Sequence, residues 1–304
     1  MRNSLLSTLA YFDMFQYPLT VDELYAFSGQ VVEKHQLEAA LQEMVREQKI
    51  FQSGHFYSLQ PGTQLAARRV KGNKAAEPQL RLAARVAKLL SWFPYVRGVA
   101  ISGSLSKNFA DESSDIDLFI ITARNRLWIP RTILCLFRKL FIPIGKMHWF
   151  CMNYFVDEEG MEIVEKNFFT AIEIATLIPV RGTRTFNEFF EANAWTRNYL
   201  PNYVVNNRLL RDSSPGIFKR AIEKILNLRL FDQLENRLMN ITGRRWDNKT
   251  SRGRLNRRGI LLNMNVSEHY AKPYAHYFQH KLLERYERKL RVLLGEPAYN
   301  EANP

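Results

Sequence analysis

Asp115 and Asp117 stand two residues apart, and an apolar run, Leu118-Phe-Ile-Ile121, follows them directly. Alternate residues of a strand face the same side of a sheet, so a strand opening here brings both carboxylates into one region of space. Two like charges so close are costly unless a cation compensates them. Hard oxygen ligands of this kind suit Mg²⁺, held by one or two carboxylates plus substrate phosphates, with Mn²⁺ the alternative. Just upstream, the apolar run Val99-Ala-Ile101 ends in Ser102-Gly103-Ser104. Gly103 lets the backbone approach a ligand closely. Ser104 falls where a short helix should start, and the free amides and dipole there favour a phosphate. Ser106 and Lys107 lie just beyond as further candidate phosphate contacts, although a solvated helix surface accounts for Lys107 equally well. A phosphate cradle beside a paired-aspartate metal site is the apparatus of phosphoryl or nucleotidyl transfer.

Other uses of an Asp-x-Asp pair have a different order. In glycosyltransferases and haloacid dehalogenase-like phosphatases the apolar run typically precedes the aspartates, whereas here it follows them and Gly-Ser comes before. A polar turn capped by Asp115 is the bland alternative. It is disfavoured because Asp117 opens a hydrophobic run, where an unpaired carboxylate is expensive.

The Gly103-Ser104 pair followed by Asp115-x-Asp117 resembles the signature of the DNA polymerase β-type nucleotidyltransferase superfamily, over roughly residues 95–157. More loosely, the layout is similar to bacterial nucleotidyltransferase-domain proteins with an N-terminal winged helix. The resemblance implies that Gly103 and Ser104 hold a nucleoside triphosphate and that Asp115 and Asp117 bind the metal ions bridging it. A nucleoside monophosphate would pass to an acceptor and pyrophosphate would leave. The superfamily usually adds a third carboxylate from a later strand. The matching stretch here, Phe150 to Asp157, carries Asn153 at its centre and Asp157 at its far end. Asn153 can offer an amide oxygen but cannot take a proton as a carboxylate does. Asp157, Glu162 and Glu173 are the candidate substitutes. The rival expectation is a catalytically silent nucleotidyltransferase fold acting as a nucleotide-sensing or nucleic-acid-binding regulator.

The elements that must position these residues read as α+β. Residues 1–61 give three helical patterns and a hairpin around Ser53-Gly54, with a capping box in Thr20-Val-Asp-Glu23. That order resembles a winged helix-turn-helix. The unit is nearly neutral, which argues against DNA contact. Residues 62–94 read as a polar linker, Lys71-Gly-Asn-Lys74, and an amphipathic helix from Leu80 to Phe93. The nucleotidyltransferase core, a small mixed sheet with helices, is placed at 95–166, with strands near 96–101, 116–122 and 149–156 and a helix near 127–141. Residues 167–304 are expected to be a basic helical region.

Charge sharpens this division. Between Asn207 and Arg291 stand 20 Lys/Arg against 8 Asp/Glu, so nearly all of the net +13 lies in that segment. A one-signed field concentrates anions such as nucleotides, nucleic acid or an acidic lipid surface. The run from Gly243 to Arg258 is its densest part and reads as a mobile loop able to clamp phosphates. His276 and His280 share a helical spacing, but aromatic packing explains them better than a metal. Cys135 and Cys151 exclude a disulfide scaffold. The N-terminus lacks a signal-peptide pattern. Arg131, Arg138 and Lys139 interrupt the best candidate membrane stretch, so no span and a cytoplasmic location are expected. Nucleoside triphosphate, an unidentified acceptor and, through the basic segment, nucleic acid are the expected partners.

Overall fold

The computed structural model describes residues 1–111, 114–205, 209–211, 216–228, 230–253, 264–273 and 277–295. It opens with α1 (Arg2–Asp13), α2 (Val21–Ala26), α3 (Lys34–Arg46) and an antiparallel hairpin of β1 (Phe51–Ser53) and β2 (Phe56–Ser58). The spacing that predicts the capping box is realised at the start of α2. Thr20 Oγ1 accepts from the Glu23 amide at 3.2 Å and Glu23 Oε2 accepts from the Thr20 amide at 2.9 Å.

A single long helix, α4 (Gln64–Leu90), follows, and it corrects the expected linker. Lys71-Gly-Asn-Lys74 is helical. Gly72 belongs there because a Cβ would lie 2.2 Å from the Phe109 ring, so a glycine is what lets Phe109 pack. Arg69, also on α4, is buried. Its guanidinium pairs with Glu23 at 2.6 Å, lies 3.6 Å from the Tyr17 ring centroid and donates to the Pro18 carbonyl at 2.8 Å. A buried charge tolerates such a place only when paired and hydrogen-bonded, so this contact clamps the N-terminal unit onto α4.

The remaining elements are β3 (Val96–Ile101), α5 (Gly103–Ser106), β4 (Asp117–Thr122), α6 (Trp128–Lys139), β5 (Cys151–Asp157), α7 (Phe168–Ala175), β6 (Ile178–Arg181), α8 (Thr183–Ala192), α9 (Ile217–Leu226), α10 (Leu230–Ser251), β7 (Met264–Val266), β8 (Tyr270–Pro273) and α11 (Tyr277–Leu294). Six strands form one mixed sheet in the order β6-β3-β4-β5-β8-β7; β4 and β5 are parallel and the other pairs antiparallel. Strand alternation divides the core. Val99, Ile101, Leu118, Ile120 and Phe155 pack with α4, α6 and α10 on one face. Ala100, Phe119, Ile121 and Val156 pack with α7 and α8 on the other.

Three strands lie where a helical C-terminal region was expected. Pro179 sits in β6, an edge strand where a missing N–H costs little. β7 and β8 are a short hairpin added beyond β5, too brief for period-two patterning to register. Gly243 to Ser251 of the basic run is helical within α10, against the expected mobile loop; residues 254–258 of that run, and His276, lie outside the described residues. α11 folds back on α1, with Tyr286 5.9 Å from Tyr11 and Lys289 paired to Asp13.

Candidate active site at one end of the sheet

β3 ends at Ser102, and the chain turns at Gly103 with φ +68°, a left-handed conformation that favours glycine. The Ser102 amide donates to the Asp117 carbonyl at 2.9 Å, which stitches this turn to the first residue of β4. A Cβ on Gly103 would lie 2.3 Å from Asp117 Oδ2. Glycine is therefore required twice over, by conformation and by the carboxylate against it. Ser104 is exposed on the single turn of α5. Ser106 Oγ donates to the Gly103 carbonyl at 2.8 Å, and Lys107 Nζ reaches the same oxygen at 3.3 Å and Glu173 of α7 at 2.8 Å. These two side chains brace the turn and tie it to α7. The Tyr17 hydroxyl donates to the Lys107 carbonyl, so the N-terminal unit touches the same loop.

Alternation puts Asp117 on the face of Phe119 and Ile121. Asn153 arrives beside it through an irregularity. In the β4–β5 register Leu118 pairs with Met152 and Phe119 with Tyr154, leaving Asn153 as an extra, bulged residue. A bulge re-aims a side chain. Here Asn153 Nδ2 donates to Asp117 Oδ1 at 2.5 Å, while its own Oδ1 accepts from the Cys151 thiol at 3.1 Å. Burial, together with the nearby charges of Asp117 and Asp115, pushes the Cys151 thiol up to about 12, against the opposing pull of Arg138. The thiol is thus protonated and a donor. It holds the Asn153 amide with its NH₂ toward Asp117.

Asp157 is not part of this arrangement and is corrected as a third carboxylate. It pairs in register with Thr122, at the opposite end of β4, and is fully buried. Its oxygens accept from the amides of Asn125, Glu159 and Gly160 at 2.9–3.0 Å and from His269 Nδ1 at 3.0 Å. Glu162 is also elsewhere, paired with Lys166 at 2.6 Å. Glu173 is different. It lines a cavity of about 200 Å³ together with Gly103, Asn153, Phe119, Tyr154 and Lys272. Lys272 and Tyr154 are missed by sequence reasoning. Lys272 lies in β8, where helix was expected, and reaches the site only because β8 pairs with β5. Burial lowers the Lys272 ammonium, offset in part by Glu165 at 3.5 Å.

Among the described residues, no group of three or more His, Cys, Asp or Glu is gathered to hold a metal. The donor set at Asp115 and Asp117 fits a hard divalent cation that takes its other ligands from substrate oxygens and water. His280 pairs with Glu284 at 3.1 Å on an exposed helix face, apart from this site.

A mixed sheet with a Gly-Ser turn at the end of β3 and Asp117 at the start of β4 fits a nucleotidyltransferase core. Residues 83–175, from the second half of α4 to the end of α7, match the family model of the nucleotidyltransferase domain. That match is consistent with a member of the DNA polymerase β-type nucleotidyltransferase superfamily. No curated protein and no solved structure matches the chain. No described helix is long and apolar enough to cross a membrane.

Proposed function

We propose that the protein is a Mg²⁺-dependent nucleotidyltransferase of the cytoplasm that moves a nucleoside monophosphate from a triphosphate to an acceptor hydroxyl. The observation that supports this reading is the close approach of Asp117 to the Gly103 turn, where a Cβ would lie 2.3 Å from Asp117 Oδ2. Gly103 and Ser104 hold the triphosphate through the amides at the start of α5. Asp115 and Asp117 are the metal ligands, and Asn153 holds Asp117 in place rather than ligating. Mg²⁺ bound there supplies charge neutralisation to the triphosphate and to the departing pyrophosphate. The acceptor oxygen attacks the α-phosphorus and forms a new P–O bond. The bond from that phosphorus to the bridging oxygen breaks, and pyrophosphate leaves with the electron pair. Glu173, the carboxylate that the cavity shares with Gly103 and Asn153, takes the acceptor's proton. Lys107, paired with Glu173, contacts the phosphates when that pair opens.

The N-terminal unit in this reading is a winged helix with a structural role. α3 buries Leu37, Leu41 and Met44, and Glu43 on its outer side and Glu47 just past its end pair with Arg2, so it presents no basic face to DNA. The test is incubation with Mg²⁺ and each α-labelled triphosphate against small hydroxylated molecules, RNA and the polypeptide itself. Pyrophosphate release and label transfer are expected, with a loss of about 10³-fold or more in Asp117→Ala. Tight Mg²⁺-dependent nucleotide binding without transfer to any acceptor would overturn the enzymatic reading.

A further inference from the structure

A surface helix ordinarily turns its apolar stripe to the core and its charges to water. α9 does the reverse. Its polar residues Lys219 and Glu223, with Asn227 just past the end, recur every four positions and face the body of the protein. Lys219 Nζ donates to the carbonyls of Ser91 at 2.8 Å and Val96 at 2.6 Å. Glu223 accepts from the Tyr95 amide at 2.7 Å and takes both guanidinium nitrogens of Arg97 at 2.8 and 3.0 Å. The Tyr95 hydroxyl donates to Asn227 Oδ1 at 2.8 Å. This docking is specific and charge-assisted.

The opposite face of α9 therefore points outward, and it is apolar. Ile217 is 82% exposed, Phe218 86%, Ile225 62% and Leu228 60%. At helical spacing these residues, with Ala221 and Ile222, form one arc, bordered along one edge by the exposed Arg220 and Lys224. Glu223 is the one acidic residue in the helix, and Arg97 neutralises it. Trp92, 60% exposed, follows directly on Ser91, whose carbonyl Lys219 holds, so an exposed indole stands next in the chain to the residue that docks α9.

We propose that α9 and Trp92 form a membrane-docking surface that lies on an anionic lipid bilayer. An apolar arc containing a phenylalanine, a basic border and an interfacial tryptophan are what an in-plane membrane helix uses. The apolar side chains enter the acyl boundary and the basic ones meet anionic headgroups. Nucleic acid would answer the basic border but leave the aliphatic arc in contact with polar groups. A second copy of the same face would bring together two surfaces of like net charge, within a segment carrying 20 Lys/Arg against 8 Asp/Glu. The surface is independent of the transfer reaction, since none of its residues lines the cavity that Gly103, Asn153 and Glu173 share.

The test is flotation of the full chain with vesicles of phosphatidylcholine alone or with about 30% phosphatidylglycerol. Anionic vesicles are expected to bind it about tenfold more tightly than neutral ones, and the binding is expected to fall in about 0.5 M NaCl. The double variant Phe218→Glu, Ile225→Glu is expected to lose about tenfold or more, while Phe218→Trp retains binding. Both positions are solvent-exposed, so the melting temperature and nucleotide turnover of the double variant should match the parent. Absence of binding to anionic vesicles overturns the proposal, as does binding that the double variant leaves unchanged. A dimer that the double variant dissociates also overturns it, assigning the face to a second copy.

Discussion

The two ends of the central sheet both gather carboxylates and basic side chains, yet they bond their acids differently. At the Thr122 end, a cavity of about 650 Å³ is lined by Arg97, Arg126, Glu158, Asp232 and Glu235. Its charges are already spent on structure. Arg126 pairs with Asp232 at 2.5 Å, and Glu235 accepts from the Trp128 and Ile129 amides at 2.6 and 3.2 Å, capping α6 from α10. Asp157, beside them, is saturated by three backbone amides and a histidine. At the other end the cavity is smaller and is lined by Gly103, Asn153 and Glu173, and beside it Asp117 lies against the Gly103 turn and is held by the Asn153 amide. The size of a cavity therefore says less than what its acids are already bonded to.

The comparison can be broken at either end. Asp157→Ala should have the largest effect, lowering unfolding stability by about 3–5 kcal/mol because three backbone amides and His269 lose their shared buried acceptor. The protein that stays folded should keep its turnover, which denaturation and pyrophosphate-release assays together would show. A selective loss of turnover at unchanged stability would make Asp157 catalytic and erase the contrast.

Gly103→Ala is the counterpart at the other end. The added Cβ meets Asp117 Oδ2 in a left-handed backbone conformation, so turnover should fall on the order of 10²-fold, read as kcat/KM for the triphosphate. Turnover within twofold of the parent would mean that the turn does not position the reaction.

Glu235 sharpens the contrast through pH. Burial raises its carboxyl to about 7, despite the two α6 amides that favour the ionised form. A folded-state value above the unfolded one means that folding binds the proton. The resulting stability is complete below pH 4.5 and is lost as pH rises through about 7. Thermal unfolding should therefore show a decline on the order of 1–2 kcal/mol between about pH 5 and 8, flattened in Glu235→Gln. An identical slope in the variant would assign the decline to another group.

Asn153→Asp should have the smallest effect. It places a second carboxylate at the Asn153–Asp117 contact and should cost about 1 kcal/mol in chelator, recovered on adding Mg²⁺. Melting curves with and without the ion would show this, and a cost that Mg²⁺ leaves untouched would count against a metal at Asp117.

The local parts of the candidate site were legible because they depend on near neighbours in the chain. Gly103-Ser104, the aspartate pair and the apolar strand behind them are read from spacing alone, as is the capping box at Thr20. Asp157 and Asn153 were not separable that way. Both lie on one strand, two turns of the pleat apart, and their roles come from Asn125 and His269 in one case and from a bulge in the other. Nor did the pattern of α9 disclose its orientation. A strongly amphipathic helix predicts that its apolar side is buried, and here Arg97, Ser91 and Val96 claim the polar side instead.

What the chain determined by itself is the order of the candidate site: a glycine turn, then Asp115 just before a strand and Asp117 opening it, in a frame apolar enough to bury a sheet. What the tertiary structure decided is which acids remain available to that chemistry. A carboxylate's role is set by the donors that surround it, and those donors come from residues distant in sequence, brought together only when the sheet is assembled.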